Sequence, residues 1–221
     1  MPWTDANLPG TLDGAGLAAV RGGRAVFAGL GFALAPGGAL LLTGPNGSGK
    51  STLLRLIAGF GHPVAGQIAW NGGAIADDME AHRARLHYVG HQDGLKPALT
   101  VGETVRFWRA LAGRDRADEA AALAAVGLAA LAELPCRFLS AGQRRRVALA
   151  RLALWPAPLW LLDEPTVGLD AAALALLEAL CRRHRAEGGS IVAASHQAFG
   201  LDDTATLSLG DFAPAPVAAG W

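Results

Sequence analysis

A glycine-rich octapeptide between a short apolar run and a helical pattern limits the possible folds of this chain most strongly. The octapeptide matches GxxxxGK[ST] at every fixed position. Ala39–Thr43 before it predicts a buried strand, and residues 52–58 after it, ending at Gly59, predict a helix. This order indicates an α/β core with a phosphate-binding loop. The residues of the loop are Gly44, Pro45, Asn46, Gly47, Ser48, Gly49, Lys50 and Ser51.

The glycine loop predicts a site for nucleotide phosphates and a magnesium ion. Its glycines let the chain curl so that backbone N–H groups point at phosphate oxygens, beside the N-terminus of the following helix. We expect Lys50 to reach the β- and γ-phosphates and the Ser51 hydroxyl to coordinate Mg²⁺. A glycine-rich turn with a chance lysine is the alternative, and it is disfavoured because both flanking elements are predicted.

Two carboxylates, Asp163 and Glu164, follow a second apolar run at residues 159–162. The run predicts a strand, so both side chains are expected at the carboxyl edge of the sheet. Asp163 fits the acidic residue that holds Mg²⁺ through water, and Glu164 is placed to polarise a water molecule for attack on the γ-phosphate. The start of a helix before Pro165 is the alternative. The upstream glycine loop favours the catalytic interpretation.

Two polar residues after further apolar runs are candidates for the same site. Gln92 follows Leu86–Val89 and offers its amide to Mg²⁺ or to the attacking water. His196 follows the predicted strand at residues 191–195 and offers a hydrogen bond to the γ-phosphate. A lone Gln or His is usually a surface residue, so His196 is selected only by its place after a strand. His91 precedes Gln92, and a strand would point the two side chains to opposite faces.

The pentapeptide Leu139-Ser140-Ala141-Gly142-Gln143 predicts a second anion site. A helical pattern begins directly after Ser140, whose hydroxyl can cap the helix. The hydroxyl, the Gly142 backbone N–H and the positive end of the helix together favour a bound anion. An ordinary serine-capped helix is the alternative, and it would be the default without the other motifs.

A helical insertion is predicted between the two parts of the α/β core. Thr100 and Glu103 have capping-box spacing, and apolar residues follow them at helical intervals. Residues 115–126 predict a second, alanine-rich helix that ends before Gly127. The predicted divisions are a poorly ordered N-terminal segment at residues 1–16, a domain at 17–210 with a helical subdomain at about 93–150, and a short tail at 211–221.

Charge and apolar patterning argue against two classes of protein. The 221 residues include 19 basic and 19 acidic ones, so net charge does not favour a nucleic-acid partner. No apolar run is long enough to span a bilayer, and the N-terminus does not resemble a signal peptide. Cys136 and Cys181 indicate no disulfide framework. We therefore expect a cytoplasmic protein that reaches a membrane only by docking onto another protein.

The order of these motifs resembles that in the nucleotide-binding subunits of ABC transporters. The resemblance covers about residues 17–210 and implies an α/β fold. Its parts are a P-loop NTPase core with a mixed or parallel sheet, an N-terminal antiparallel β part and an inserted α-helical subdomain. It adds Thr52 to the phosphate site. The matching motifs are Walker A at 44–52, the Q-loop at Gln92, the signature at 139–143, Walker B at 159–163, the catalytic Glu164, the D-loop at 168–170 and the switch His196.

The same resemblance implies ATP and Mg²⁺ as cofactors and a dimer as the active unit. In that family two subunits form a head-to-tail sandwich, in which each signature closes on the ATP held by the other subunit. Ser140, Gly142 and Gln143 are therefore expected to contact nucleotide bound by a partner chain. Asp170 is expected at the interface between the two chains.

A narrower resemblance is to the haem-exporter ATP-binding subunits of bacterial c-type cytochrome maturation. It rests on residues 21–24, 90–96 and 139–151 and on the short length of the chain. It implies a peripheral ATPase at the cytoplasmic face of the inner membrane. Such an ATPase works with integral membrane subunits to release a haem-loaded chaperone. The residues expected near the docking groove for these subunits are Gln92, Leu95, Phe107 and Trp108.

Two positions depart from the family pattern. Ala141 stands where a glycine is commoner, a small change that keeps the backbone close to phosphate. The aromatic residue that usually stacks on adenine is missing, and Arg21 occupies the aligned position. Because a guanidinium group can stack on a base, Arg21 is the predicted adenine contact. Phe27 is a weaker candidate for the same role.

Three other functions stay open from the sequence. The subunit of a different ABC transporter would carry the same motifs. A chromosome-maintenance or repair ATPase uses the same head, but its long heptad-bearing insertions are missing from this sequence. A non-hydrolysing interaction module would use ATP only to join two chains, and the intact Glu164 and His196 count against it.

Overall fold

A five-stranded parallel β-sheet forms the centre of the structure. The computed structural model describes residues 8–113, 118–196 and 199–214. The strands of the sheet are β3 (Ala39–Thr43), β6 (Leu86–Val89), β7 (Leu159–Asp163), β8 (Ser190–Ala194) and β9 (Ala205–Ser208). They lie in the order β6, β7, β8, β3, β9, and each neighbouring pair is parallel. The predicted strands of the core are therefore confirmed.

Both faces of this sheet are buried, because other elements cover it on each side. All five residues of β7 and all five of β8 are buried, and alternate residues of each strand enter two different hydrophobic cores. α1 (Lys50–Ile57) packs in the first core, while α5 (Ala141–Leu154) and α6 (Ala171–Ala186) pack in the second. This layering is typical of parallel sheets and confirms the predicted α/β core.

An antiparallel sheet completes the first core and confirms the predicted N-terminal β part. Its buried leucines, such as Leu17 and Leu30, pack with Leu53 of α1. The order of its strands is β2, β1, β4, β5. These strands are β1 (Leu12–Arg21), β2 (Arg24–Leu34), β4 (Ala65–Trp70) and β5 (Gly73–Ala74).

The start of β1 corrects the predicted N-terminal segment. β1 begins at Leu12, which is fully buried, so residues 12–16 of the predicted poorly ordered segment 1–16 belong to the sheet. Glycines suggested a turn there, but Gly16 at φ 61° lies where the pairing of β1 shifts register. A bulge of this kind uses a glycine within a strand. Residues 1–7 lie outside the described part of the chain.

Helices after β6 form the predicted helical insertion. α3 (Val101–Leu111) begins at the predicted capping box, in which the side chains of Thr100 and Glu103 bond to each other's backbone N–H. α4 (Glu119–Ala125) begins at Glu119; residues 114–117, where its predicted start falls, lie outside the described residues. Short 3-10 turns at Ala129–Leu131 and Cys136–Phe138 then lead to α5.

α5 belongs both to the helical insertion and to the central core. It contacts α3 and α4 of the insertion and also β6 and α6 of the core. The predicted subdomain limit near residue 150 therefore falls inside one continuous helix. The predicted limit at residue 210 similarly falls inside the 3-10 turn Leu209–Phe212, whose Leu209 is fully buried. Residues 215–221 of the predicted tail lie outside the described part.

Two further helices were not predicted from the sequence. α2 (Met79–Ala84) is capped by the side chain of Asp78, and α6 is capped by that of Asp170. Within residues 8–113, 118–196 and 199–214, the helices all lack the combination of length and apolar character that crossing a membrane requires.

Candidate functional site

The glycine loop lies at the carboxyl end of β3 and leads into α1, as predicted. Lys50 is buried, with 7% of the residue exposed. Its ammonium group donates hydrogen bonds to the carbonyl oxygens of Gly44 and Pro45 at 2.7 and 3.2 Å. Gly49 has φ 102°, and a Cβ atom there would lie 2.5 Å from Val26. Only glycine fits this backbone beside the neighbouring strand. The loop therefore lies close against β2 and leads directly into the N-terminus of α1, the kind of helix end that favours an anion.

Ser51 and Asp163 bring two oxygen ligands together beside the glycine loop. Ser51 Oγ lies in the first turn of α1 and is 3.1 Å from Asp163 Oδ1 at the end of β7. The Asp163 residue is only 3% exposed. A hydroxyl and a carboxylate are suitable ligands for Mg²⁺, which usually binds one or two protein oxygens together with nucleotide phosphates. Nearby, the buried Ser48 Oγ has no hydrogen-bond partner among the described protein atoms.

Glu164 and His196 meet at the open end of the sheet. Glu164 Oε1 lies 3.3 Å from His196 Nε2, which is also 3.1 Å from Asn46 Oδ1 of the glycine loop. Glu164 has φ 51° and lies in a turn, so the alternative that it begins a helix is wrong. Its backbone N–H donates to the carbonyl oxygen of Ala194 at 2.8 Å. Three distant segments therefore converge on one histidine nitrogen.

A cavity of about 480 Å³ lies between these groups. Its walls include both predicted carboxylates, His196 and residues of the glycine loop. Val167, which is 55% exposed, adds an apolar side chain to the rim. A charged loop, two carboxylates and a histidine around one cavity can bind a polyphosphate and activate water beside it.

Gln92 faces a neighbouring cavity of about 820 Å³, whose walls also include Ser51 and Asp163. His91 borders both cavities, although no pattern in the sequence indicates a role for it. The prediction assumed strand alternation, but β6 ends at Val89, so that rule does not apply to residues 90–92. Burial, followed by the nearby Asp163 carboxylate, raises the pKa of Tyr88 in the wall of the larger cavity.

The two candidates for adenine contact lie in different environments. Arg21 is exposed at the end of β1 and lines both cavities. Phe27 is fully buried, and its ring supports the backbone of Gly49 from behind. The prediction of Phe27 as an adenine contact is therefore wrong. Arg21 therefore stays the predicted adenine contact.

The pentapeptide at residues 139–143 lies away from this cavity, since none of its residues appears among the described residues that form the cavity walls. Ser140 Oγ accepts from the Gln143 N–H at 3.1 Å, and the Ser140 N–H donates to Gln143 Oε1 at 2.8 Å. A Cβ atom at Gly142 would collide with the carbonyl oxygen of Gly168. One chain thus has two separate helix N-termini, and the first residues of the second, Ser140 and Ala141, are exposed.

Two residues have positions that the sequence patterns did not indicate. Asp170, predicted at a dimer interface, caps α6 by accepting from the Ala173 N–H at 2.8 Å. Arg145 is 4% exposed and reaches the backbone of Asp163 and Glu164 from α5. An arginine in a charged run is usually a surface residue, so only the three-dimensional contacts identify it.

The sequence matches the ABC transporter domain over residues 27–167. The chain therefore belongs to the ABC transporter family. It is 56% identical over 208 residues to the cytochrome c biogenesis ATP-binding export protein CcmA of Rhodospirillum rubrum, covering 94% of this chain and 89% of that protein. It is 54% identical over 209 residues to the protein of the same name from Paramagnetospirillum magneticum, covering 93% and 96%. Within the family the chain thus groups with the proteins named CcmA.

Solved structures agree with the fold. An ABC transporter ATP-binding protein from Pyrococcus furiosus has a TM-score of 0.79 at 22% identity and covers 92% of this chain and 100% of its own. A bacterial Atm1-family ABC exporter with ATP bound has a TM-score of 0.80 at 25% identity, covering 94% of this chain and 38% of its own. The predicted ABC ATPase head is confirmed.

Proposed function

We propose that this chain is the ATP-binding and ATP-hydrolysing subunit of an ABC transporter complex that exports haem for c-type cytochrome biogenesis. One observation carries the hydrolytic part: the side-chain oxygens of Glu164 and Asn46 both lie close to Nε2 of His196, beside the phosphate loop. The relatives named as cytochrome c biogenesis export proteins support the biological part.

Each group at the site has a separate task in the proposed reaction. Lys50 and the N–H groups of the glycine loop bind the phosphates, and Ser51 and Asp163 hold Mg²⁺. When bound, Mg²⁺ neutralises charge on the β- and γ-phosphate oxygens. Glu164 orients and polarises the attacking water, and His196 Nε2–H turns from its present acceptors towards the γ-phosphate. Gln92 reaches the metal or the water from the neighbouring cavity.

The active unit in this proposal is a head-to-tail dimer. Ser140, Gly142 and Gln143 close on the ATP bound by the partner chain, which agrees with their distance from the phosphate cavity of their own chain. Asp170 lies at the interface while it caps α6. Arg21 stacks on the adenine in place of an aromatic residue.

Membership of the ABC transporter family supports a proposal for the partners and the location. Integral membrane subunits dock beside the helical insertion and hold the chain at the cytoplasmic face of the inner membrane. Of the expected docking residues, Phe107 is 45% exposed and Leu95 is partly buried, whereas Trp108 is 7% exposed. Trp108 packs inside the insertion, so Phe107 is the stronger candidate for contact.

Replacement of Glu164 tests the hydrolytic proposal. We expect Glu164→Gln to lose at least about 100-fold in kcat, because an amide polarises water poorly, and to retain ATP binding. Phosphate release in the presence of Mg²⁺ and equilibrium binding of ATP measure the two effects. Glu178→Gln, which removes a carboxylate on α6 outside the phosphate cavity, is the matched control. Wild-type turnover in Glu164→Gln would contradict the assignment.

Deletion of the gene in its own host tests the proposed cargo. Covalent haem in c-type cytochromes should disappear, and the wild-type gene, but not Lys50→Ala, should restore it. Haem staining of membrane and periplasmic fractions measures the result. Normal cytochromes c in the deletion strain would assign the chain to a different ABC transporter and leave the proposed ATP hydrolysis intact.

A further inference from the structure

The buried Arg145 side chain connects three parts of the site. It projects from the second turn of α5, and its residue is 4% exposed. Its guanidinium group donates five hydrogen bonds, which use every N–H direction that an arginine offers. The acceptors are Gly90 O at 2.7 Å, Asp93 Oδ1 at 3.2 Å, Asp163 O at 2.6 Å, Glu164 O at 2.8 Å and Pro165 O at 3.4 Å.

Three of these acceptors are consecutive carbonyl oxygens around Glu164. Glu164 itself has φ 51°, a left-handed conformation that costs a residue with a side chain about 1 kcal/mol or more. Such a conformation persists only where surrounding contacts fix it. The planar, five-donor guanidinium can hold converging carbonyls in this geometry, whereas a lysine ammonium is a point charge with three donors.

The two remaining acceptors, Gly90 O and Asp93 Oδ1, lie in the loop that follows β6. Gly90 and Asp93 flank Gln92, and the Asp93 carboxylate, whose side chain is 23% exposed, supplies the counter-charge at 3.2 Å. A buried cation is costly without such a partner. The position of the Gln92 loop and the backbone conformation of Glu164 are thus joined through one side chain.

The neighbouring arginines make no contact of this kind. Arg144 donates to Leu139 O at 2.7 Å, and Arg146 donates to Gly127 O at 3.2 Å. Both acceptors lie in the segment that leads to α5. Of the three consecutive arginines, only Arg145 reaches the end of β7.

We propose that Arg145 is a positioning residue that fixes the backbone of Glu164 and ties it to the loop of Gly90 and Asp93. Movement of that loop is then transmitted to the carboxylate that polarises water, without passing through the Gln92 side chain. This inference rests on the proposed hydrolysis of ATP by the same site.

Replacement of Arg145 by lysine and by methionine tests the connection. We expect kcat per folded molecule to fall about 10- to 100-fold, since a displaced catalytic group costs that much, while KM for ATP changes less than about two-fold. Among the described residues, the hydrogen-bond acceptors of Arg145 all lie outside the phosphate loop, so binding should persist. Arg146→Lys is the matched control and should keep kcat within about two-fold. Unchanged kcat in folded Arg145→Lys and Arg145→Met would overturn the proposal.

Asp93→Asn supplies a second test, because it removes the negative charge beside Arg145 but keeps the Oδ1 acceptor. The Asp93 side chain is partly exposed, so the fold should tolerate the change. We expect a smaller loss of kcat, about 3- to 10-fold, because only the counter-charge is removed. In combination with Arg145→Lys the loss should be smaller than the product of the two single losses, since both changes act on one contact. A full product of two independent losses would contradict the connection, as would an Asp93→Asn variant with wild-type kcat.

Amide hydrogen exchange separates this inference from the proposed function. In nucleotide-free protein the N–H of Glu164, bonded to Ala194 O, should exchange faster in Arg145→Lys than in the wild type and in Arg146→Lys. If the wild-type chain hydrolyses no ATP, the proposed function fails, and this measurement alone decides the positioning role. Equal exchange in all three proteins would refute it.

Discussion

At the scale of single residues, His196 shows how the site depends on side chains from distant segments. Its Nε2 atom lies 3.1 Å from Asn46 Oδ1 and 3.3 Å from Glu164 Oε1, so two acceptors share the single N–H that this nitrogen can carry. A γ-phosphate oxygen placed in the cavity would compete with both. The same contacts that hold His196 in place therefore leave it able to turn towards a substrate.

Arg21 gives a residue-scale prediction about base recognition. We expect Arg21→Ala to weaken ATP binding about five-fold and Arg21→Trp to restore it, because each intact side chain can stack on adenine. Binding of a fluorescent ATP analogue measures the change. Arg24 pairs with Arg21 across the β1–β2 turn but does not line the phosphate cavity, so Arg24→Ala is the control. Equal affinities in Arg21→Ala and the wild type would contradict the stacking role.

Patterns in the sequence identified the residues whose roles depend on local structure. The glycine loop and the strand-end carboxylates could be predicted because each follows a recognisable strand. Arg145 could not, since its five acceptors lie between 18 and 55 positions away in the chain. Phe27 was misassigned because a sequence does not state which aromatic ring is buried under a glycine loop.

At the scale of elements, two helices begin with the same device and differ in what lies beyond them. α3 starts with the capping box of Thr100 and Glu103, and α5 starts with that of Ser140 and Gln143. In each box the two side chains accept a hydrogen bond from each other's backbone N–H. A capping box stabilises a helix wherever it occurs. Only the one at α5 is also proposed to meet a phosphate.

The two capping boxes therefore form a matched pair for mutation. Thr100→Ala and Ser140→Ala should each lower the free energy of unfolding by about 1 kcal/mol, because each removes one cap. Only Ser140→Ala should also lower the ATPase rate of folded protein, by about five-fold, through the lost hydroxyl. Urea unfolding and phosphate release measure the two effects. Equal ATPase rates in the two variants would show that Ser140 acts only as a cap.

A stacked pair between α6 and the sheet predicts a pH dependence of stability. The rings of His184 and Trp160 are 3.8 Å apart and nearly parallel, and His184 Nε2 lies 3.3 Å from the carbonyl oxygen of Ser190. Burial lowers the pKa of His184 from 6.5 to about 3. Below pH 6.5 the unfolded chain binds a proton that the folded chain does not, so stability falls as the pH drops from 6.5 towards 3.

His184→Phe should remove this part of the pH dependence while it keeps the stacking. Between pH 7.5 and pH 5.5 the wild type should lose about 1.4 kcal/mol more unfolding free energy than the variant. The variant should be less stable at pH 7.5, because Ser190 O loses a hydrogen-bond donor. Burial also lowers the pKa of His82, so some dependence should persist in the variant. Parallel curves for the two proteins would contradict the role of His184.

Elements were predicted well where a continuous apolar run or a capping box marks them, as in β3, β7 and α3. β1 was shortened in the prediction because Gly14 and Gly16 look like turn residues, although one of them lies at a bulge. α6 was not predicted from the sequence, although Asp170 caps its start. Local patterns give the existence and type of a strongly periodic element more reliably than they give its boundaries.

At the scale of the whole molecule, the proposed function uses two helix N-termini of each chain, and they do not line the same cavity. The N-terminus of α1 opens into the phosphate cavity, whereas the N-terminus of α5 lies outside it. In a head-to-tail dimer, the N-terminus of α1 in each chain would face the N-terminus of α5 in the other chain. The dimer would then contain two equivalent sites related by two-fold symmetry. The cavity of one chain is then half of a composite site.

Mixing two inactive variants tests this composite site directly. Lys50→Ala disables the phosphate loop, and Ala141→Asp places a carboxylate at the exposed N-terminus of α5, where it stabilises the helix but repels phosphate. Each variant alone should be inactive. In a one-to-one mixture about half of the dimers contain both chains and hold one intact site of two, so the ATPase rate should recover to about a quarter of the wild-type rate. As the control, the double variant Lys50→Ala/Ala141→Asp mixed with Lys50→Ala should show no recovery. Differently tagged chains verify that mixed dimers form. If the first mixture then shows no recovery, the proposed site composed of two chains is contradicted.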